Sequence, residues 1–179
     1  MPKLLLKILA TAEYEIIDIL SWLINTQFQM KFSNNLHFVI NTINELSSKD
    51  SVEVMKLRSE VFVEEQNCVY LDPDIQDFDA YHLRVLNTEN KLLAYSRIYQ
   101  DEGWHIGRIA TNKAARNQGI GKAMVAQAIS FCRSKDPSLP IEMSAQVYLT
   151  DFYGSLGFQP VGPMYLEDGI PHIKMRYQD

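Results

Sequence analysis

The sequence predicts a domain of mixed helices and strands, of the α/β or α+β class, built around one central sheet. Strand-like segments and segments of helical periodicity follow one another along most of the 179 residues. A chain of this length can bury about 70% of the surface that it exposes when unfolded, so that one core needs no disulfide or metal support. Hydrophobic residues make up 46% and charged residues 22% of the chain, which excludes a disordered protein, a collagen and a coiled coil.

The first part of the chain, residues 1–35, is predicted to be an amphipathic helix followed by a polar linker. Apolar side chains recur every three or four residues between Leu5 and Leu23. Residues 25–35 are polar, and Met30 among them leaves open a later start. Acidic residues interrupt the apolar run, so we expect neither a secretion signal nor a membrane span.

The next segments alternate between strand and helix. Residues 36–43 (LHFVINTI) are strand-like, and a helix is expected from near Asp50, with Glu53 completing a capping box, to about Gln66. The sequence NCVYLDPDIQDFDA that follows is expected to be a loop. Residues 81–86 and 91–100 are predicted to be strands joined by the turn NTEN.

The second half of the chain continues this alternation. A third strand is predicted over residues 104–111, followed by a helix that opens with glycines. Residues 141–149 are expected to form a strand and residues 150–157 a short helix ended by Gly157. Two further strands are expected on either side of LEDGI, and the strands and helices together suggest one sheet with helices packed against it.

Charge and cysteine content limit the class of partner and the cellular compartment. The net charge is −5, which argues against nucleic-acid binding, because that work needs clustered Lys and Arg. Cys68 and Cys132 are far apart and form no CxxC pair, so we expect two reduced thiols in a cytoplasmic protein and no zinc site.

The most informative stretch joins the strand of residues 104–111 to the next helix. It ends in Arg116-Asn117-Gln118-Gly119-Ile120-Gly121, followed by Lys122. A helix N-terminus offers unpaired N–H groups, and glycine lets a ligand approach them closely, so this loop is predicted to bind a phosphate. A Walker A loop would need Gly at position 116 and Ser or Thr at position 123, and a dinucleotide fingerprint would need Gly at position 124. The chain has Arg116, Ala123 and Met124 there, so neither motif is present.

The pattern R-x-x-G-x-G after a strand resembles the pyrophosphate-binding signature of the GNAT superfamily of acetyl-CoA-dependent N-acetyltransferases. The downstream strand IEMSAQVYL and the following DFYGSLGF look like a second motif of that family. Finer features, among them VFVEEQNCVYLDPDIQDFD and YLEDGIPHIKM, are similar to its ElaA-like branch. The resemblance covers about residues 36–179, which we therefore predict to be the acetyltransferase domain.

This resemblance implies a three-layer α+β fold with a mixed, mostly antiparallel sheet between helices. Its fourth and fifth strands, here residues 104–111 and 141–149, would be parallel and splay apart. The co-substrate would be acetyl-CoA, with no metal. The pantetheine arm would pair with the backbone of Ile109, Ala110 and Thr111. The pyrophosphate would take the N–H groups of Gln118, Gly119, Ile120, Gly121 and Lys122, beside Arg116 and Asn117.

The implied reaction is direct transfer of an acetyl group to a primary amine in a ternary complex. Family resemblance gives Tyr153 the role of the acid that protonates the leaving thiolate; a purely packing role for this aromatic residue is the alternative. A base must take the proton of the amine, and the sequence leaves this base open among several side chains. These are Glu64, Glu65, Asp72, His82 and His105.

The acceptor is suggested only by charge. Residues 59–80 hold seven acidic residues and no Lys or Arg, which favours a small cationic amine, although such a run is often simply a solvated face. Two alternatives stay open: an acetyltransferase acting on a protein N-terminus or lysine, and a CoA-binding regulatory or interaction module with little catalysis. Neither nucleic acid nor membrane is expected as a partner, while a homodimer is compatible with the sequence.

Overall fold

A computed structural model describes residues 36–178, so the predicted helix and linker of residues 1–35 lie outside the described part of the chain. The strands are β1 (Leu36–Thr42), β2 (Tyr81–Asn87), β3 (Leu92–Gln100), β4 (Trp104–Thr111), β5 (Ile141–Gln146), β6 (Phe158–Pro160), β7 (Tyr165–Glu167) and β8 (Ile170–Tyr177). The helices are α1 (Ser48–Arg58), α2 (Gln76–Asp79), α3 (Ile120–Lys135) and α4 (Thr150–Gly154).

The strands form one mixed sheet in the order β1-β2-β3-β4-β5-β8-β6, with β7 paired to β8. Strands β2, β3 and β4 are antiparallel neighbours, and so are β5 and β8. Strands β4 and β5 are parallel and pair only at Trp104 with Ile141 and at His105 with Glu142. The mixed sheet and its parallel pair confirm the fold that the sequence predicted, and the end of pairing after His105 leaves the second half of β4 without a neighbour on that side.

Strand β4 also carries an irregularity where it pairs with β3. The register shifts between Tyr95 and Arg97, and Arg108 on the opposing strand has a φ of 48°. A non-glycine residue in this left-handed region is uncommon and marks a bulge, which bends the strand locally. The bend lies just where β4 and β5 part.

The start of α1 differs from the prediction. Ser47 is the N-cap, with its Oγ accepting a hydrogen bond from the Asp50 N–H at 3.1 Å. The side chain of Glu53 instead pairs with Lys49 at 3.8 Å. The predicted capping box at Asp50 and Glu53 is therefore wrong, because a serine three residues earlier already supplies the cap.

Three other elements differ from the sequence-based boundaries. Helix α1 continues as a π-helix over Ser59–Glu64, and the loop that follows contains the single turn α2. Strand β5 ends at Gln146, and residues Val147–Leu149 form a 3₁₀ turn instead of continuing the strand. The short β6 was not predicted, because its three residues are held only by pairing with the distant end of β8.

Helix α3 packs its apolar side on the centre of the sheet. Met124, Val125 and Ala128 are fully buried on this helix, and Trp104 of β4 meets Phe131 with ring centroids 6.2 Å apart. The packing fixes α3 against β4, so the loop between them has its two ends held by the core.

Candidate functional site

A cavity of about 960 Å³ opens where β4 and β5 part. Gly107 and Thr111 of β4 and Ser144 of β5 line its walls, and Tyr153 of α4 lies on its surface. The pairing ends at His105 and Glu142, so Gly107 and Ser144 each lie two residues beyond the last paired position, on the stretch where the strands have parted. The cavity is therefore the gap between the two strands, extended on one side by the loop before α3.

The loop between β4 and α3 is shaped to present backbone N–H groups. Asn117 and Gly119 have φ values of 61° and 77°, and these left-handed residues turn the chain directly into α3. The helix begins at Ile120, and the N–H groups of its first turn have no acceptor within the helix. Together with the positive end of the helix dipole, they form a site for an anion.

Gly121 keeps this site open towards the facing elements. An added Cβ at Gly121 would lie 3.6 Å from Thr111 Oγ1 and 3.8 Å from the Phe152 ring. Any larger side chain would extend into the space between β4 and α4. The residues present thus fit a phosphate group at this end of the cavity.

Most of the residues predicted to bind the cofactor line the cavity. These are Ile109, Thr111, Arg116, Asn117, Gly119, Ile120, Gly121 and Lys122. The side chains of Ala110 and Gln118 do not line it: Ala110 is fully buried in the core, and Gln118 donates to the Ala114 carbonyl at 3.0 Å. Any role of these two residues would thus fall to their backbone groups.

Arg116 is held in place by the chain itself. Its guanidinium makes a two-fold contact with Glu65, at 2.8 and 2.9 Å, and its Nε donates to the Thr111 carbonyl at 3.1 Å. Glu65, one of the candidate bases, is thus engaged by an arginine. Both carboxylate oxygens of Glu65 already accept hydrogen bonds from Arg116, which argues against Glu65 as the base.

Tyr153 is almost completely enclosed by aromatic side chains. Only 5% of the residue is exposed, and its ring meets those of Phe152 and Phe158 edge-on, with centroids 5.0 and 6.4 Å away. Burial, with a smaller contribution from nearby Tyr148, raises the pKa of Tyr153. The hydroxyl therefore keeps its proton at neutral pH and can donate it in the cavity.

Two other candidate bases have structural roles. His82 is fully buried, with Nδ1 2.8 Å from the Tyr95 hydroxyl and Nε2 3.0 Å from the Asp77 carbonyl. Burial lowers the pKa of His82. Asp72 is 3% exposed and pairs with Arg58 and Arg108 at 2.7 and 2.9 Å. Neither side chain lines the cavity.

Asp72 belongs to an arginine–aspartate network that joins α1, the loop before β2, and strands β3 and β4. Its members are Arg58, Arg97, Arg108, Asp72, Asp74 and Asp77. The ion pairs are 2.6 to 3.2 Å long. The charges of this network cancel, so the acidic run of residues 59–80 presents less negative charge to the cavity than its sequence indicates.

His105 lines the cavity, as Glu65 does, but it forms no hydrogen bond with an arginine in the described residues. Its Nε2 lies 2.7 Å from Asp101 Oδ1, and its ring stacks on Tyr99 with centroids 4.7 Å apart. Asp101 is largely exposed, at the turn before β4. The pair sits at the closed end of the gap, where β4 and β5 still pair.

Sequence reasoning missed a polar group on the other wall, which we call the hairpin cluster: Ser144, Tyr165, Glu167 and His172. Ser144 Oγ bonds to the Tyr165 hydroxyl at 2.5 Å and donates to Glu167 Oε2 at 2.9 Å. The rings of Tyr165 and His172 stack with centroids 6.2 Å apart. Two sequence signals could have predicted that these side chains lie close together: the Asp-Gly turn, which indicates a hairpin, and the alternation of side-chain direction along β7 and β8.

Comparison with known proteins agrees with the predicted family and fold. Residues 48–178 match the family model of the acetyltransferase (GNAT) domain. Protein ElaA of Escherichia coli K12 is 38% identical over 137 residues, which are 74% of this chain and 90% of that protein. A UPF0039 protein of Schizosaccharomyces pombe is 36% identical over 148 residues, which are 81% of this chain and 99% of that protein.

Solved structures resemble the described fold as well. The crystal structure of an acyl-CoA N-acyltransferase from Pseudomonas aeruginosa matches with a TM-score of 0.75 and 36% identity, over 80% of this chain and 99% of that one. The crystal structure of E. coli ElaA matches with the same TM-score and 34% identity, over the same shares of the two chains. No helix within residues 36–178 is long and apolar enough to cross a membrane. The family model and the ElaA relatives together show that this chain belongs to the GNAT acetyltransferase family.

Proposed function

We propose that the protein transfers an acetyl group from acetyl-CoA to a primary amine, by direct transfer in a ternary complex. One observation carries this proposal: a single cavity joins the glycine loop before α3, the gap between β4 and β5, and the buried hydroxyl-bearing Tyr153. An anion site, an unpaired strand edge and a protonated acid are what a thioester of this size and charge needs.

The cofactor would be held mainly by backbone groups. The stretch of β4 from Ile109 to Thr111 lies beyond the point where pairing with β5 ends, so its backbone groups on that edge would pair with the amides of the pantetheine arm. The Thr111 carbonyl already accepts a hydrogen bond from Arg116 Nε. The N–H groups from Gln118 to Lys122 would receive the pyrophosphate. Arg116, already oriented by Glu65, would add its charge beside Asn117.

The chemistry needs a proton acceptor and a proton donor at opposite ends of the transfer. When bound, the thioester supplies the acyl carbon that the amine attacks and the sulfur that leaves. Tyr153 would donate its hydroxyl proton to that sulfur, since it lines the cavity and its hydroxyl is protonated at neutral pH. The backbone bend at Arg108 would orient a β4 N–H towards the carbonyl oxygen as charge develops there.

We propose a small cationic amine as the acceptor. The sequence suggested a cationic acceptor from the acidic run of residues 59–80, but the arginine–aspartate network neutralises part of that run and so weakens this argument. Support comes instead from Glu167 and Asp168, which line the cavity and form no ion pair with any residue in the described range 36–178. A cytoplasmic location and a homodimer stay predictions from the sequence.

The proposal is tested by measuring coenzyme A release from acetyl-CoA with a thiol reagent. The amines are ethylamine, cadaverine, spermidine, glucosamine, lysine amide and a short peptide with a free N-terminus. We expect release that depends on a small amine and saturates with it. Saturable release with the peptide alone would favour the protein acetyltransferase, and no release with any of the amines would favour a binding module.

A further inference from the structure

The uncompensated negative charge in the cavity lies on the C-terminal hairpin of β7 and β8, and not on the acidic run of residues 59–80. Four carboxylates line the cavity: Glu65, Asp74, Glu167 and Asp168. Glu65 is paired with Arg116, and Asp74 with Arg97 and Arg108. Glu167, by contrast, receives one hydrogen bond from Ser144 and meets no Lys or Arg within residues 36–178. A cation entering the cavity thus finds its uncompensated counter-charge at the hairpin.

His172 adds an unused proton acceptor beside this charge. The residue is 9% exposed and lines the cavity, and its Nδ1 lies 2.8 Å from the Ile170 carbonyl. Since a carbonyl only accepts, Nδ1 carries the proton and Nε2 keeps its lone pair. Nε2 has no hydrogen-bond partner within the described residues, although nine-tenths of the side chain is enclosed.

The hairpin cluster is also in the right place relative to the acyl group. Ser144 lies two residues beyond Glu142, the last residue of β5 that pairs with β4, and like Gly107 it lines the cavity where the strands part. Ser144 contacts both Tyr165 and Glu167, and Tyr165 stacks on His172. An amine bound to Glu167 would therefore lie beside the gap, on the wall that carries β5.

We propose that the hairpin cluster is the acceptor site, in which Glu167 binds an alkylammonium and His172 Nε2 takes its proton. This inference rests on the proposed function, and it assigns the group that binds the amine and the base that deprotonates it, which that function leaves unassigned. One ammonium N–H bond breaks and its proton goes to Nε2, and the freed electron pair forms the new C–N bond as the C–S bond breaks. The nitrogen then loses a second proton to the Tyr153 oxygen, which has given its own proton to the sulfur, and His172 releases its proton to solvent. Protons and charge thus balance.

The test compares ethylamine with 2,2,2-trifluoroethylamine at pH 8. Ethylamine is protonated at this pH, whereas the fluorinated amine is almost entirely neutral, so it needs neither a counter-charge nor the loss of a proton before it attacks. For His172→Gln we expect kcat with ethylamine to fall by about 10²- to 10⁴-fold, the usual contribution of a general base. For Glu167→Gln we expect the KM of ethylamine to rise on the order of ten-fold, as for loss of a charge-assisted hydrogen bond.

With the fluorinated amine both variants should stay within about threefold of the parent protein. His37→Gln on β1 and Glu89→Gln in the turn between β2 and β3 are matched controls on the exposed surface. Equal losses with both amines would overturn the inference, because a merely structural defect does not distinguish a charged amine from a neutral one.

A second readout needs no acetyl-CoA. In protein labelled with ¹⁵N-histidine, His172 should show the Nδ1-protonated tautomer, and ethylamine should shift its Nε2 signal in the parent but not in Glu167→Gln. The Nε2-protonated tautomer would overturn the role of His172. If the parent releases no coenzyme A with any amine, the proposed function fails. If the parent does release coenzyme A with an amine and both variants behave like the parent, only this inference fails.

Discussion

Tyr153 is the residue on which the proposed chemistry depends most directly. Tyr153→Phe keeps the ring and its aromatic packing and removes only the hydroxyl. We expect kcat to fall by about 10²- to 10⁴-fold while acetyl-CoA affinity changes little. Steady-state kinetics with the best amine of the panel, together with calorimetry, would check both. A kcat within about twofold of the parent, with chemistry rate-limiting, would make Tyr153 a packing residue.

Gly121 tests the anion site one residue into α3. Gly121→Asp puts a carboxylate next to Thr111 and Phe152, at the end of the cavity proposed for pyrophosphate. We expect coenzyme A affinity, measured by calorimetry, to fall at least ten-fold, because like charges repel there. Gly121→Ala is the matched control, since a lone Cβ meets only ordinary contacts and should cost much less. Unchanged affinity in the aspartate variant would count against the site.

Asp77 makes the arginine–aspartate network sensitive to acid. Burial opposes its charge, but hydrogen bonds from Arg58 and the Asp74 N–H dominate and lower the pKa of Asp77 to about 2. Its unfolded value is near 4, so the stabilisation is present above about pH 4 and is lost as pH falls through 2. Asp77→Asn should lower the melting temperature at pH 7 and much less near pH 2. The control Asp79→Asn, at an exposed position, should leave the melting temperature unchanged at both pH values.

The residues of the site differ in how far the sequence could reveal them. Arg116, Gly121 and Tyr153 stand in short contiguous motifs, so their chemistry is visible in the chain. The hairpin cluster is assembled from β5, β7 and β8, and its meaning comes from pairings across more than twenty residues. The partners of Asp72, Asp74 and Asp77 come from α1, β3 and β4, and therefore a run that seems negative in the sequence is largely neutralised in the fold.

At the scale of the element, the hairpin of β7 and β8 depends on its turn. Asp168 and Gly169 have φ values of 50° and 79°, which suit a two-residue turn with both residues left-handed. Gly169→Val is strained there, so we expect it to lower kcat/KM for the amine several-fold while coenzyme A binding is kept. Asn90→Val, at φ 60° in the turn between β2 and β3, is a matched control. Equal effects of the two variants on kcat/KM would show that the hairpin has no specific role in binding the acceptor amine.

The same scale shows why most element types, but not all boundaries, follow from the sequence. Strands β2, β3 and β4 were predicted to within a residue, because alternation and turn residues mark their ends. The π-helix after Arg58 has no local signature. Strand β5 ends early because its pairing with β8 stops at Gln146, whose side chain bonds to Gln66 at 3.0 Å. Such ends depend on contacts between distant residues.

For the whole molecule, we expect residues 1–29 to be dispensable for cofactor binding. The matched family domain begins at residue 48, and the loop, the gap and Tyr153 all lie beyond it. A chain that begins at Met30 should keep a cooperative unfolding transition and the coenzyme A affinity of the full chain. Loss of coenzyme A binding in a folded shortened chain would show that the predicted domain boundary is misplaced.

The central claim is that the loop before α3 and the gap between β4 and β5 hold coenzyme A without a metal. Calorimetric titration of the full chain with coenzyme A in EDTA, alongside the same titration with ATP, tests it most directly. We expect saturable one-to-one binding of coenzyme A that EDTA does not weaken, and much weaker binding of ATP, which lacks the pantetheine arm that the β4 edge would pair. Tighter binding of ATP, or no binding of coenzyme A to the folded protein, would contradict the account.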